Sequence, residues 1–386
     1  MISTDSELAQ LCARVQSASN VGFDTEFHNE RSFTPRLMVL QLAFQDGVAI
    51  VDPLAVANLR PLAEALCETT VVGHALAGDL KILAERFGIV PQRVFDCQIA
   101  ASFLGYGMSI SLADLVREIG GARLRKSQTI SDWSARPLSA EQTEYLIADV
   151  AYLLPMQVTL TQHLREKGRF DWAREEFAQL SDLERYRVDE RRLYARIPGS
   201  NRMSRREVAV LAELVQLRER IARERDIPLK FVLPDDVVAG LAVLRPRRSE
   251  DLAQLRRLDP GARRSLGPAI LEAVRRAEAL GEEHLPAKVS RPSGNARETL
   301  VALMSVAVGE LARENDLPPS LLVPRASLER VAREVPSTRE EFERALELSH
   351  WRMQLVSEPL WRLLCGSSGL RVEGYAQGEP RILVHE

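Results

Sequence analysis

The chain has 386 residues, 45% of them apolar, with 51 Lys and Arg against 54 Asp and Glu for a formal charge of −3. That length holds two or three domains, and no apolar run approaches the roughly 18–20 residues that span a bilayer. The start Met1-Ile2-Ser3-Thr4-Asp5-Ser6-Glu7 lacks the basic opening and apolar centre of a secretory signal, and Cys12, Cys67, Cys97 and Cys365 show no paired spacing, so a disulfide framework and a cysteine-based zinc site are not expected and a cytoplasmic protein is.

The apolar run Val21–Phe27 reads as a strand, followed by strands over Leu37–Phe44 and Val48–Val51 with Asp46-Gly47 as a hairpin turn. Leu59–Cys67 has helical periodicity, Thr70–His74 reads as a buried strand, and Ala77–Phe87 as a helix stopped by Gly88. Val94–Cys97 is a further short strand, and helical segments then run to Ile119, before Gly120-Gly121. A meander of strands followed by alternating strands and helices predicts a mixed sheet covered by helices. The segment Glu141–Val150 reads as another helix. Beyond Asp171 strand signals vanish and helices are expected throughout, with turns at Pro198-Gly199-Ser200, Leu233-Pro234 and Pro260-Gly261 and a linker from Pro286 to Asn295.

The two helical blocks repeat. At an offset of 90 residues, Ala222-Arg223-Glu224-Arg225-Asp226-Ile227-Pro228 aligns with Ala312-Arg313-Glu314-Asn315-Asp316-Leu317-Pro318, and Pro234 with Pro324, without a gap. Such self-similarity implies two copies of one small helical unit. The expected division is residues 1–170, a helical linker 171–204, copies over 205–283 and 295–370, and a tail 371–386. From Arg185 to Arg276 there are 22 Lys or Arg against 13 Asp or Glu, a local +9 that leaves −12 for the rest. A basic segment beside an acidic one fits a nucleic-acid binder with a metal site elsewhere, and fits equally a solvated helical surface. Arg218, Arg220, Arg223, Arg225, Arg247 and Arg248 form the candidate phosphate-contacting surface.

The chemistry sits earlier. Asp24 and Glu26, two apart on a strand, point to one face. Asp79 falls early in the helix after the second buried strand, where pairing with the helix dipole is the plain alternative. Tyr145 and Asp149, spaced i and i+4, stack on one helix face. Clustered carboxylates repel unless a cation offsets them, and hard oxygen donors suit Mg²⁺ or Mn²⁺. Two such ions about 3.5–4 Å apart can clamp the attacking and leaving oxygens of a phosphodiester.

Three blocks carry a resemblance: Phe23-Asp24-Thr25-Glu26-Phe27, Gly73-His74-Ala75 through Asp79-Leu80-Lys81-Ile82-Leu83, and Tyr145-x-x-x-Asp149. They are similar to the exonuclease motifs of the DEDD superfamily of 3′–5′ exonucleases, tyrosine subclass. Leu40-Gln41-Leu42-Ala43 and Ser131-Asp132-Trp133-Ser134-Ala135-Arg136-Pro137-Leu138 look like the ribonuclease D family, and the helical copies resemble HRDC domains. The resemblance implies an α/β ribonuclease H-like exonuclease domain followed by two all-α HRDC-like domains. It implies trimming of RNA, tRNA precursors among them, from the 3′ end with release of nucleoside 5′-monophosphates. Two divalent cations, Mg²⁺ or Mn²⁺, would be held by Asp24, Glu26, Asp79 and Asp149, with Asp24 bridging, and Tyr145 would position the attacking water.

Softer candidates for substrate contact are His74, Lys126 with Arg125, Trp133 and Arg136. A buried histidine and a hydrophobic plug at Trp133 are their plain alternatives, and Gln41 is expected to hydrogen-bond within the strands. Two repeats in one chain suggest a monomer. The competing readings are a DNA exonuclease of the same superfamily and a non-catalytic RNA-binding module, the latter predicting loss of a metal-site acid, and none is missing.

Overall fold

A Thr4-x-x-Glu7 capping box opens the first helix, α1 (Asp5–Ser17): Thr4 accepts from the Glu7 amide while the Glu7 carboxylate reaches back to the Thr4 amide. The sequence reading passed over this element, although the Thr-x-x-Glu signature was its sign. The computed structural model describes all residues except 29–30, 125–131, 188, 287–294, 374–380 and 386. Three strands follow, β1 (Asn20–His28), β2 (Arg36–Phe44) and β3 (Gly47–Val51), then α2 (Arg60–Glu68), β4 (Thr70–Gly73), α3 (Ala77–Phe87) and β5 (Arg93–Asp96). The sheet order is β3-β2-β1-β4-β5. β2 and β3 are antiparallel, with Phe44 paired to Gly47, so the hairpin turn is Gln45-Asp46, one residue before the expected Asp46-Gly47. β1, β4 and β5 run parallel, which makes the sheet mixed as predicted. Gly88 ends α3 in the left-handed region at φ 72°.

Helices α4 (Cys97–Ser102), α5 (Leu112–Gly120), α6 (Ala140–Ala151), α7 (Leu153–Glu166) and α8 (Phe170–Leu180) complete this part. α6 starts at its own capping box, Ser139 with Gln142. Its inner face, Leu146 and Val150, is buried against the sheet. Gly22 on β1 makes that approach possible: a Cβ there would lie 2.9 Å from the Ala43 Cβ and 3.4 Å from the Val150 carbonyl oxygen.

The helical copies keep their register in three dimensions. The first has α9 (Arg205–Arg225), α10 (Leu229–Val232), α11 (Asp235–Leu244) and α12 (Pro260–Glu278). The second has α13 (Asn295–Glu314), α14 (Pro319–Leu322), α15 (Arg325–Glu334), α16 (Arg339–Leu346) and α17 (His350–Leu364). α10 and α14, and likewise α11 and α15, coincide at the offset of 90. The same backbone conformation also recurs: Asp226 (φ 47°) and Asp316 (φ 50°) leave the long first helices through the left-handed region, and Arg245 (φ 47°) and Val335 (φ 48°) leave α11 and α15 likewise. The chain then forms an antiparallel hairpin of β6 (Gly369–Glu373) and β7 (Arg381–His385). This corrects the expectation that strands cease after Asp171. The pattern was hidden because most of β6 is exposed, so burial imposes no alternation on it.

Contacts divide the chain into two units, one of residues 1–26, 38–185 and 292–386, the other of residues 27–37 and 186–291. In the first, one hydrophobic core runs from Val72, Phe95 and Phe103 through α7 and α8 into the second helical copy. Trp351 stacks on Trp172 with ring centroids 5.2 Å apart and meets Phe103 edge-on at 5.1 Å. Buried Glu176 accepts from the Trp351 Nε1 at 2.9 Å and the Arg352 guanidinium at 2.8 Å. In the second unit the first helical copy has its own core, built on α9 and α12, with Phe33 packed against it.

Candidate active site

β1 brings Asp24 and Glu26 to one face, and α6, drawn in over Gly22, adds Asp149. One carboxylate oxygen from each of the three lies within 4.8 Å of the others. Tyr145, one turn before Asp149, sets its hydroxyl against that carboxylate. Its ring rests 5.7 Å from that of Trp133, which is buried among Met38, Val39, Ile50 and Leu146.

Asp79 stands outside the trio. It is buried in the first turn of α3 and accepts a hydrogen bond from the hydroxyl of Thr25, whose side chain leaves β1 on the face opposite Asp24 and Glu26. A residue the sequence reading did not single out sets α3 in place. Asp96, wholly buried at the end of β5, accepts from the amides of Ala75 (3.2 Å), Leu76 (2.8 Å), Gln98 (2.8 Å) and Ile99 (3.1 Å). It thereby caps α4 and pins Ala75 at φ 60°, a conformation a non-glycine residue holds only when surrounding contacts impose it. The Asp-Cys-Gln run at a strand-to-helix junction was the available signal.

The electrostatics is that of carboxylates crowded out of water. Burial, then the charges of Asp79, Asp149 and Glu26, push Asp24 well above the usual carboxylate range. Burial, with Asp149 and Asp79 adding, raises Glu26 to about 7. Burial raises Asp79 to about 6 against the pull of Thr25, and Asp149 to about 6 against that of Tyr145. Tyr145 is pushed far up by burial and by Asp149, so its proton stays on the hydroxyl. A set of hard oxygen donors that repel one another this strongly is suited to a small divalent cation, which would relieve the repulsion and replace the protons.

Beside the site, a groove of about 790 Å³ is lined by Arg123, Leu124, Glu144, Tyr145, Asp149 and Tyr152. Of the softer candidates, Trp133 is 5% exposed and packs inside. Arg136 is committed elsewhere, and its expected role in substrate contact is corrected. Its five N–H groups go to Asp52 twice (2.7 and 2.8 Å), to Met38 O (2.7 Å), and to Trp133 O and Ala135 O (both 2.8 Å). His74 places its Nε2 2.9 Å from the Ile110 carbonyl, while burial lowers its pKa against the opposing pull of Asp96. Lys126 and Arg125 lie outside the described residues. Gln41 was expected to hydrogen-bond within the strands. Its amide is buried without a hydrogen-bond partner among the described residues, because β2 is covered by apolar groups from Leu37 to Ala43. Arg218, expected at a phosphate-contacting surface, is instead buried and donates to Leu233 O (3.2 Å) and Asp235 (2.6 Å).

Residues 1–167 match the 3′-5′ exonuclease family model, and residues 207–274 match the HRDC domain. The chain is 34% identical to ribonuclease D of Nitrobacter hamburgensis over 97% of both chains. It is 35% identical to that of Gluconacetobacter diazotrophicus, over 97% of this chain and 96% of the relative. The chain belongs to the ribonuclease D family. The crystal structure of Escherichia coli RNase D, described as an exoribonuclease involved in structured RNA processing, superposes with a TM-score of 0.85 at 29% identity, covering 95% of this chain and 98% of that one. As a family member, the chain is a 3′–5′ exoribonuclease of the DEDD type. Among the described residues, no helix is long and apolar enough to cross a membrane.

Proposed function

We propose that Asp24, Glu26, Asp79 and Asp149 hold two divalent cations, Mg²⁺ or Mn²⁺, and that with Tyr145 they remove nucleoside 5′-monophosphates one at a time from RNA 3′ ends. The carrying observation is the convergence of Asp24, Glu26 and Asp149 to within 4.8 Å with every carboxyl pushed upward by burial. When bound, the ions supply Lewis acidity to the attacking water and offset charge on the departing 3′-oxygen. Asp24, whose carboxyl feels the charges of Asp79, Asp149 and Glu26 together, would be shared between the two cations. Glu26 and Asp149 would hold the cation that supplies the attacking water. Asp79, kept in place by Thr25 and Asp96, would serve the other cation. Tyr145 retains its proton and orients the water through its hydroxyl, since a phenol held so far above neutrality cannot act as a base. The groove beside Tyr145 and Asp149 receives the RNA end, and Trp133 supports Tyr145 from beneath.

The domain reading is residues 1–170 for the exonuclease, 171–204 for the linker, 205–283 and 295–370 for the HRDC-like copies, and 371–386 for the C-terminal segment. The enzyme acts as a cytoplasmic monomer in maturing tRNA 3′ ends and other structured RNAs; the description of the Escherichia coli relative as acting in structured RNA processing supports the substrate part of this reading. The test is a time course on 5′-labelled single-stranded RNA with Mg²⁺, Mn²⁺ or chelator, beside the matching DNA and an RNA ending in a hairpin. A metal-dependent ladder shortening from the 3′ end and stalling at the hairpin is expected. Salt-sensitive binding without degradation under any metal would sink the reading.

A further inference from the structure

The two helical copies differ sharply at one register position. Phe231 in α10 is 61% exposed, while Leu321, its counterpart in α14, is 3% exposed and packed into the core of its unit. The second copy therefore spends this turn on internal packing, and the Leu321 carbonyl is held by Arg352 Nε at 2.7 Å. The first copy also buries Val232 of the equivalent turn, but at this one position it places an aromatic ring in solvent.

A cation stands beside that ring, and two arginines lie nearby on the last turn of α9. The Lys230 ammonium stands 5.5 Å from the Phe231 centroid. Arg225, at the end of α9, is exposed and makes no ion pair among the described residues. Arg223 lies 5.4 Å over the ring of Phe33. A groove of about 490 Å³ runs beside the turn, lined by Ser32, Phe33, Leu229, Lys230, Pro234 and Asp235, whose carboxylate is engaged by Arg218 at 2.6 Å. A protein-docking surface would present a continuous apolar patch, but Phe231 and Val243 are the only large apolar side chains exposed on this unit among the described residues. An isolated aromatic face beside cations is the arrangement that stacks a base and holds its phosphate.

We propose that Phe231, with Lys230 and the groove beside Phe33, is a stacking site for an unpaired base of single-stranded RNA, its flanking phosphates met by Lys230 and Arg225. This rests on the exoribonuclease reading and assigns RNA binding to the first copy and packing to the second. The test uses the full chain in chelator, so that bound RNA is not consumed. Fluorescence anisotropy with a labelled single-stranded oligonucleotide compares wild type, Phe231→Ala, Phe231→Trp and Lys230→Gln. Phe231→Ala should weaken binding by about tenfold, within the range of one lost stack, and Phe231→Trp should restore it. Lys230→Gln should flatten the dependence of log affinity on log salt by about 0.7. An RNA carrying 5-iodouridine should photo-crosslink to Phe231. Unchanged affinity in Phe231→Ala and no crosslink there, with an RNA that wild type binds and digests in Mg²⁺, would overturn the site and leave the exoribonuclease reading standing. A wild type that neither binds nor digests the RNA would remove both. Loss of binding to another protein, with RNA affinity untouched, would assign the surface to a protein partner and overturn the proposal.

Discussion

Arg136 and Asp52 meet through two parallel N–H···O bonds of 2.7 and 2.8 Å, fastening the loop ahead of α6 to the end of β3. Asp52 is 4% exposed, and the guanidinium holds its carboxyl below the usual range. Because that loop carries Trp133 and leads into the helix bearing Tyr145 and Asp149, the pair acts on the site through position. Arg136→Met leaves a buried carboxylate unpaired, which should cost on the order of 3 kcal/mol. Arg136→Lys should recover only part of it, since a lysine cannot make the paired fork. Urea unfolding followed by circular dichroism measures both. A midpoint unchanged in Arg136→Met would show that the fork contributes nothing to stability.

Asp24→Asn and Asp149→Asn should each lower the rate of RNA shortening by roughly two to four orders of magnitude, the range expected when a ligand of a catalytic cation is lost. Far-ultraviolet circular dichroism should stay unchanged, because neither side chain fills the core. Degradation by Asp24→Asn at the wild-type rate would refute the site.

Tyr145→Phe keeps the ring against Trp133 and removes only the hydroxyl. The turnover rate should fall by about 10- to 100-fold with KM little changed, as expected for a group that orients a reactant. Since Tyr145 stays protonated across the accessible range, the wild-type rate should show no limb near pH 10 that disappears in Tyr145→Phe. The appearance of such a limb would make Tyr145 a base.

Without a divalent cation, the acid cluster should make the fold less stable as the pH rises. Glu26, Asp79 and Asp149 have folded-state values of about 7, 6 and 6, above their unfolded values. The folded state therefore binds more protons in that window, and stability contributed by these protons is present below about pH 4 and lost as pH rises through about 6 to 7. In chelator, the melting temperature of wild type should drop between pH 5 and pH 8 more than that of Asp24→Asn. Added Mn²⁺ should raise it more at pH 8 than at pH 5, because the carboxyls must ionise to bind. Parallel melting curves for the two proteins across pH would contradict this origin of the instability.

Asp226 accepts from the amides of Phe33 (3.1 Å) and Thr34 (3.4 Å) and from Arg36 (2.9 Å). Asp226→Ala should free the segment between β1 and β2, and trypsin should then cut at Arg31 or Arg36 several times faster than in wild type. Equal cleavage rates, followed by mass spectrometry, would show that other contacts such as Phe33 packing suffice.

Much of the sheet was legible because its strands are buried on both faces or punctuated by short polar turns. Ala77–Phe87 was read to the residue, since Gly88 supplies a stop that leaves little choice. Spacing sets the face that Asp24 shares with Glu26 and the one that Tyr145 shares with Asp149, but it does not tell that Asp24, Glu26 and Asp149 converge while Asp79 stands outside the trio. What spacing cannot carry is the partner of a long polar side chain. Arg136 and Arg218 look identical in sequence to solvent-facing arginines, yet one is saturated by Asp52 and carbonyls and the other is buried beside Asp235. Asp96 illustrates the converse: four amides converge on it from two turns, a relation that exists only once β4 and β5 lie side by side.

The shared core of Trp351, Phe103 and Trp172 has an evolutionary reading. After a module was doubled within one chain, the second copy ceased to be an interchangeable bead and became a wall of the catalytic half, its surface now interior. Its sequence must therefore satisfy the packing of the nuclease core as well as its own, a demand that the first copy, with a separate core, does not carry. Truncation before residue 295 would strip that wall away and leave Phe103 and Trp172 facing water, so the smallest autonomous form of the catalytic half includes a segment from the far end of the chain.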